Sequence, residues 1–181
     1  ASKKAAAEAT VGCPILELKP FLHKKVGIVT TGNEVFYGRI KDTFTPVIRG
    51  KLSEFDTEVI DHVTWNDDDT KVTASILDMI QKGADVVVCT GGMSVDPDDK
   101  TPLAIRNTGA DIVSYGAQVL PGAMLLLAYY QVKDGENPRT VAILGLPGCV
   151  MYARRTIFDL VLHRIMADDQ VTAEDLAALG Q

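Results

Sequence analysis

The stretch Thr90-Gly91-Gly92-Met93-Ser94-Val95-Asp96-Pro97-Asp98-Asp99-Lys100-Thr101-Pro102 gathers adjacent glycines, hydroxyls and clustered carboxylates. Glycine lets backbone approach a ligand closely and tolerates the positive φ that an anion-binding nest requires, and the Ser94 and Thr101 hydroxyls can add hydrogen bonds. Carboxylates beside a phosphate make chemical sense when one of them holds Mg²⁺, which takes one or two carboxylates together with phosphate oxygens and water. The same Asp-Pro-Asp-Asp run would also suit a solvated turn with the charge pattern of a helix start. Two further glycine loops, Thr30-Thr31-Gly32-Asn33 and Gly145-Leu146-Pro147-Gly148, follow apolar runs. A second carboxylate, Asp42, lies in Arg39-Ile40-Lys41-Asp42-Thr43, where it could serve a site or cap a helix with Thr43. Asp67-Asp68-Asp69, just before a helical pattern, reads as capping and dipole complementation instead.

Those loops need elements to hold them. Short β-branched runs predict strands over 25–31, 57–65, 84–90, 110–115 and 139–144. Between them, apolar residues at helical spacing predict helices over 46–55 (Val47, Ile48, Leu52, Phe55) and 70–82 (Val72, Ile76, Met79, Ile80). Thr101-Pro102 offers an N-cap followed by proline at the first helical position, opening a helix through Arg106. Ile157, Val161 and Ile165 mark one face of a long helix beginning near Pro147 or Gly148. Strands alternating with helices imply right-handed crossovers, so the expected fold is an α/β three-layer sandwich with a mostly parallel sheet covered by helices on both faces. In such sheets ligands bind beyond the carboxyl ends of the strands, which is where all three glycine loops fall. Helix starts there can hold a phosphate on backbone N–H groups without net basic charge.

Composition narrows the function classes. With 18 Lys and Arg against 24 Asp and Glu, the net charge of −6 over 181 residues argues against a general nucleic-acid surface. There is no apolar run of spanning length and no signal-peptide core, which predicts a cytoplasmic protein that does not engage membranes. Cys13, Cys89 and Cys149 are widely separated and suggest neither a disulfide framework nor a zinc site. His23, His62 and His163 lack any metal-ligand spacing and are assigned to surface or packing roles. Neither G-x-G-x-x-G after a strand nor G-x-x-x-x-G-K-[ST] occurs, which demotes a dinucleotide-binding dehydrogenase and a P-loop NTPase. The expected organisation is a lead-in over 1–24, one domain over 25–166 and a helical tail over 167–181; the start without Met suggests a piece of a longer protein.

The motifs, taken in order, resemble the molybdopterin-binding domain shared by molybdopterin adenylyltransferases and gephyrin-like molybdenum-insertion proteins. Thr31-Gly32-Asn33-Glu34-Val35 is similar to the family's T-G-[DNS]-E-[LV] segment, and Asp42-Thr43 falls where the family has an Asp opening the next helix. Thr90-Gly91-Gly92 with Pro97, Asp99, Thr101 and Pro102 is similar to the adenylyltransferase pattern T-G-G-x-x-x-x-P-x-D-x-T-P, while Ser94-Val95 resembles the S-V step of the insertion proteins. Pro121-Gly122 and Leu146-Pro147-Gly148 match two P-G elements, with Ala123 in place of a frequent Lys and Cys149-Val150 in place of Asn-Pro.

The resemblance implies that Thr31, Gly32, Glu34, Gly91, Gly92, Ser94, Thr101, Pro147 and Gly148 bind the phosphate and pterin of molybdopterin, and that Asp42 and Asp99 place Mg²⁺ or a reacting phosphate as metal-binding and catalytic residues. It also implies a role in molybdenum cofactor biosynthesis, either as a transferase using ATP or AMP-activated molybdopterin or as a carrier or sensor of the cofactor. The related competence-damage-inducible proteins add a third alternative, a nucleotide-pyrophosphate hydrolase. Implied partners are the pterin ligand, other cofactor-biosynthesis proteins or molybdoenzymes, and further copies of the chain in a homo-oligomer.

Overall fold

The computed structural model describes residues 17–133 and 138–180 apart from Val95 and Pro97, together with Lys3, Ala5 and Ala9. Val95 and Pro97 of the motifs, Cys13, and most of the expected lead-in therefore lie outside the described residues.

The chain runs β1 (Lys24–Thr31), α1 (Asn33–Phe36), α2 (Phe44–Leu52), β2 (Thr57–Trp65), α3 (Asp69–Gln81), β3 (Val86–Thr90), α4 (Thr101–Asn107), β4 (Asp111–Tyr115), β5 (Leu126–Val132) and β6 (Arg139–Leu146). A 3₁₀ turn over Gly148–Met151 leads to α5 (Ile157–Met166) and α6 (Ala173–Ala178). The described strands form one sheet in the order β2-β1-β3-β6-β5-β4. β1, β2, β3 and β6 are parallel, and β5 runs antiparallel to both β6 and β4.

Alternation along the strands builds two cores. Val86 and Val88 face one side with Ile48, Leu52, Phe158 and Val161 of α2 and α5. Val87 and Cys89 face the other with Val72, Ile76, Met79 and Ile105 of α3 and α4. The result is the expected three-layer sandwich. Gly27 lets α3 approach the sheet, since a Cβ there would meet Met79 Sδ at 2.5 Å.

β5 is absent from the pattern-based reading. Its sequence, Leu-Leu-Ala-Tyr-Tyr-Gln-Val, is apolar through Tyr130 without alternation because both faces of its first half are buried. The helix expected from Gly148 is instead a 3₁₀ turn, and α5 starts at a capping box: the Thr156 hydroxyl accepts from Phe158 N at 3.2 Å and Asp159 Oδ2 accepts from Thr156 N at 2.7 Å. Ile157, Val161 and Ile165 do lie on its buried face. Beneath this cap, Lys51 Nζ bonds Asp159 Oδ1 at 2.6 Å, tying α2 to α5 through a pair whose side chains are only 9% and 4% exposed. No helix among the described residues is long and apolar enough to cross a membrane.

Candidate functional site

Three adjacent parallel strands deliver the three glycine loops to one edge. Thr30 of β1 is in register with Thr90 of β3, and Thr90 with Leu146 of β6. The chain then turns at Gly32 (φ 135°), at Gly91 (φ 84°) and Gly92 (φ 52°), and at Pro147-Gly148. The positive φ values explain why glycine stands at the first two turns.

Hydrogen bonds lock the first two loops together. Thr31 and Thr101 hydroxyls are 3.2 Å apart; Thr101 donates to the Gly91 carbonyl at 2.8 Å, and Thr31 Oγ1 bonds the Thr90 carbonyl at 3.2 Å. A Cβ on Gly91 would lie 2.1 Å from Thr31 O, and one on Gly92 would lie 3.1 Å from Thr101 Oγ1. Thr101 is not the N-cap of α4 but its first residue, with Lys100 at the cap and Pro102 next. Its hydroxyl serves the glycine turn instead. Gly32 N–H is taken by the Trp65 carbonyl at 3.1 Å, which joins the first loop to the end of β2. Glu34 is exposed and pairs with Arg39 at 3.3 Å.

The two carboxylates approach this edge from opposite faces of the sheet, because Asp42 precedes α2 and Asp99 precedes α4. Asp42 Oδ1 accepts from Phe44 N at 2.9 Å and Thr45 N at 3.0 Å, so it caps α2, one of the two roles its sequence position allows. Burial pushes its carboxyl up, but hydrogen bonds from the Thr45 hydroxyl and from the Thr45 and Phe44 amides outweigh this and hold it below the usual carboxylate range. Asp99 Oδ2 accepts from both the amide and, at 2.8 Å, the hydroxyl of Ser94, while Asp96 Oδ1 accepts from Asp98 N. Tyr115 of β4 donates to the Ser94 carbonyl at 3.2 Å, anchoring the loop from the far side. A cleft of about 400 Å³ opens there, between Asp99, Leu103, Arg106, Tyr115 and Met124. Asp68, by contrast, caps α3 through Thr70 N and Lys71 N, as expected of the Asp67-Asp68-Asp69 run.

One residue with no sequence signal joins this region. His62, on β2, places Nε2 within 3.1 Å of the Thr30 hydroxyl, 3.2 Å of the Thr45 hydroxyl and 3.9 Å of Asp42 Oδ2. Burial holds the imidazole below its ordinary pKa against the pull of Asp42, so the contact with Asp42 is not an ion pair near neutral pH. Burial likewise pushes the Cys89 thiol up to about 12, which makes it a packing residue; Cys149 lies half-buried in the 3₁₀ turn.

A mostly parallel sheet with three glycine loops on in-register strands, two of them cross-bonded, is matched over residues 27–167 by the family model described as "Probable molybdopterin binding domain". The chain belongs to the molybdopterin-binding domain family. Among curated relatives, the CinA-like protein of Mycobacterium tuberculosis (strain ATCC 25177 / H37Ra) is 32% identical over 90 residues, 49% of this chain and 21% of that protein. The CinA-like protein of Syntrophus aciditrophicus is 36% identical over 81 residues, 45% of this chain and 19% of that protein. The matched segment is thus about a fifth of the length of those relatives.

Among solved structures, the tungsten cofactor synthesizing protein MoaB from Pyrococcus furiosus superposes with a TM-score of 0.62 at 21% identity, covering 85% of this chain and all of that one. The CinA protein from Thermoplasma acidophilum gives 0.59 at 18% identity, covering 79% of this chain and 98% of that one. At these identities the likeness is one of fold.

Whether this molybdopterin-binding domain's residues suit Mg²⁺ can be read from their donors. Among the described residues no group of three or more His, Cys, Asp or Glu converges as a protein-only metal cage. Mg²⁺ does not need one, since it is commonly held by one or two carboxylates with the remaining positions filled by phosphate and water. In both Asp42 and Asp99, one carboxylate oxygen is engaged by loop donors that set the group's orientation. That donor set fits an ion brought in with a phosphate-bearing ligand.

Proposed function

We propose that this chain binds molybdopterin at the carboxyl edge of its sheet and acts in molybdenum cofactor biosynthesis. The observation that carries the reading is the convergence of the three glycine loops from in-register strands within a member of the molybdopterin-binding domain family. Backbone at Gly32, Gly91, Gly92 and Gly148 comes close to the ligand's phosphate, with Thr31, Ser94 and Pro147 shaping the turns and Glu34 at the rim. Thr101 acts by holding the Gly91 carbonyl, and so the turn itself. Anion binding by backbone is compatible with a net charge of −6, because it relies on local dipoles rather than on the field of the whole protein.

Asp42 and Asp99 are the residues that would hold Mg²⁺, whose contribution when bound is to neutralise phosphate charge. With ATP as co-substrate the reaction is adenylyl transfer: a molybdopterin phosphate oxygen attacks the α-phosphorus, the new P–O bond replaces the bond to the leaving pyrophosphate, and AMP remains on the pterin. The chain's part is to position the two phosphates and to aim fixed donors at the developing charge.

A second reading is a nucleotide-pyrophosphate hydrolase, favoured by the identity of about a third to the CinA-like proteins over half of this chain. Purified protein incubated with Mg²⁺ and either molybdopterin plus ATP or a dinucleotide pyrophosphate, with product analysis and a parallel binding titration, separates the readings. Adenylylated pterin with released pyrophosphate supports transfer, and tight binding without turnover supports a carrier. Hydrolysis of a dinucleotide pyrophosphate without pterin binding supports the second reading, and failure to bind any pterin contradicts the first.

A further inference from the structure

His62 occupies the centre of a hydroxyl network that ends on a candidate ligand-site carboxylate. Its Nε2 is shared between the hydroxyls of Thr30 and Thr45, which are themselves 3.1 Å apart, and the Thr90 hydroxyl donates to Thr30 at 3.3 Å. Thr30 already receives the Thr90 proton and has one of its own, which goes to Thr45 or to the ring. Thr45 has one proton as well, and its backbone amide donates to Asp42 Oδ1 at 3.0 Å. The contacts therefore run from β3 through β1 and the ring to the start of α2, where the Thr45 amide meets Asp42. The other charged groups acting on the ring are Arg49 of α2 and Asp61 of β2.

We propose that His62 is a positioning residue for Asp42: holding the Thr30 and Thr45 hydroxyls on one ring nitrogen fixes Thr45, whose amide in turn holds the carboxylate at the carboxyl edge of the sheet. The significance of that position rests on the assignment of Asp42 to the ligand site made above. The contact itself does not. His62 would thus tie the first glycine strand, its neighbour β2 and the α2 cap into one unit, so that the carboxylate is held in place before any ligand arrives.

Amide hydrogen exchange on the full ligand-free chain tests this, using His62→Leu, His62→Gln, Thr45→Val and the His62→Leu/Thr45→Val pair. His62→Leu is expected to speed exchange at the Phe44 and Thr45 amides about tenfold, the size of one lost hydrogen bond, while Val87 and Leu144 in the core strands keep wild-type rates. Gln carries a polar nitrogen at similar reach and should restore protection. In the Thr45→Val background, His62→Leu should add nothing, because both act along one path.

Unchanged exchange at Phe44 and Thr45, an equal rise across the core, Gln behaving like Leu, or additive effects would each overturn the proposal. If His62→Leu does not fold, wild-type exchange at Phe44 in Thr45→Val would overturn it, since the path requires the Thr45 hydroxyl. A parallel titration with molybdopterin should show His62→Leu weakening the Mg²⁺-dependent part of the affinity and sparing the Mg²⁺-free part. If the wild-type chain binds no molybdopterin, the ligand reading fails while the exchange result still decides the role of His62.

Discussion

Thr31 and Thr101 meet hydroxyl to hydroxyl at 3.2 Å across seventy residues of chain, and the Gly91 turn lies between them. Thr101 gives its proton to the Gly91 carbonyl, so a residue at the start of α4 holds the backbone of a turn ten residues earlier. The shape of the edge is thus set by the protein's own hydrogen bonds, which reduces the ordering that a ligand would otherwise have to induce.

Gly91 is the position least able to accept a side chain. In Gly91→Ala the new carbon would clash with the Thr31 carbonyl and sit at a φ of +84°, so the variant should lose about 2–4 kcal/mol of stability in urea unfolding. Gly50 offers an internal contrast. It lies inside α2 with open space around it, and Gly50→Ala should stabilise by about 0.5–1 kcal/mol. Equal effects of the two substitutions would contradict the packing described for Gly91.

Asp42 has two separable jobs in this account. Asp42→Asn keeps an oxygen to accept from the Phe44 and Thr45 amides, so stability should change little while Mg²⁺-dependent ligand affinity falls. Asp42→Ala should also lose about 1 kcal/mol as the helix cap goes. Thermal melts alongside Mg²⁺ titrations separate the two, and an Asp42→Asn variant with wild-type Mg²⁺ dependence would remove this carboxylate from the metal site.

Among the described residues, Asp99 is bonded only to its own loop, through Ser94. Asp99→Ala should therefore fold normally, losing no more than about 1 kcal/mol, yet abolish Mg²⁺-dependent turnover. Normal turnover of ATP by this variant would show that the carboxylate has no part in the reaction.

The buried Lys51–Asp159 pair makes a prediction about pH. Burial pushes Asp159 up, but the hydrogen bonds from Lys51 and the Thr156 amide prevail and hold its carboxyl below the usual range. A depressed carboxylate stabilises the fold fully above the unfolded-state value of about 3.9, and that stability is lost as pH falls through the lower folded value. Asp159→Asn should cost about 3 kcal/mol at pH 7, and the gap to wild type should narrow as the pH falls below about 4. Chemical denaturation across that window checks it; a gap that widened with acid would reverse the assignment.

Much of this architecture is written in local patterns. β2 occupies the predicted span, and α3 begins one residue earlier than its periodicity suggests, at the Asp68 cap. The glycine loops were legible because strand ends followed by glycine have few other uses, and their convergence follows from the order in which parallel strands assemble. What sequence patterns missed depends on distant partners. β5 lacks alternation because the sheet buries it on both sides, and Thr101 reads as a cap until its hydroxyl is seen to reach Gly91. His62 carries no motif: its meaning comes from Thr30 on one neighbouring element and Thr45 on another.

Comparing molybdopterin affinity in the wild-type chain and in Gly92→Val decides whether the three glycine loops hold molybdopterin. The valine would enter at a φ of +52° with its Cβ 3.1 Å from the Thr101 hydroxyl, in the loop proposed to take the phosphate. Tight wild-type binding and a loss of about a hundredfold or more in a variant that still melts cooperatively is the expected result. Equal affinity in the two proteins would place the ligand elsewhere and contradict the account.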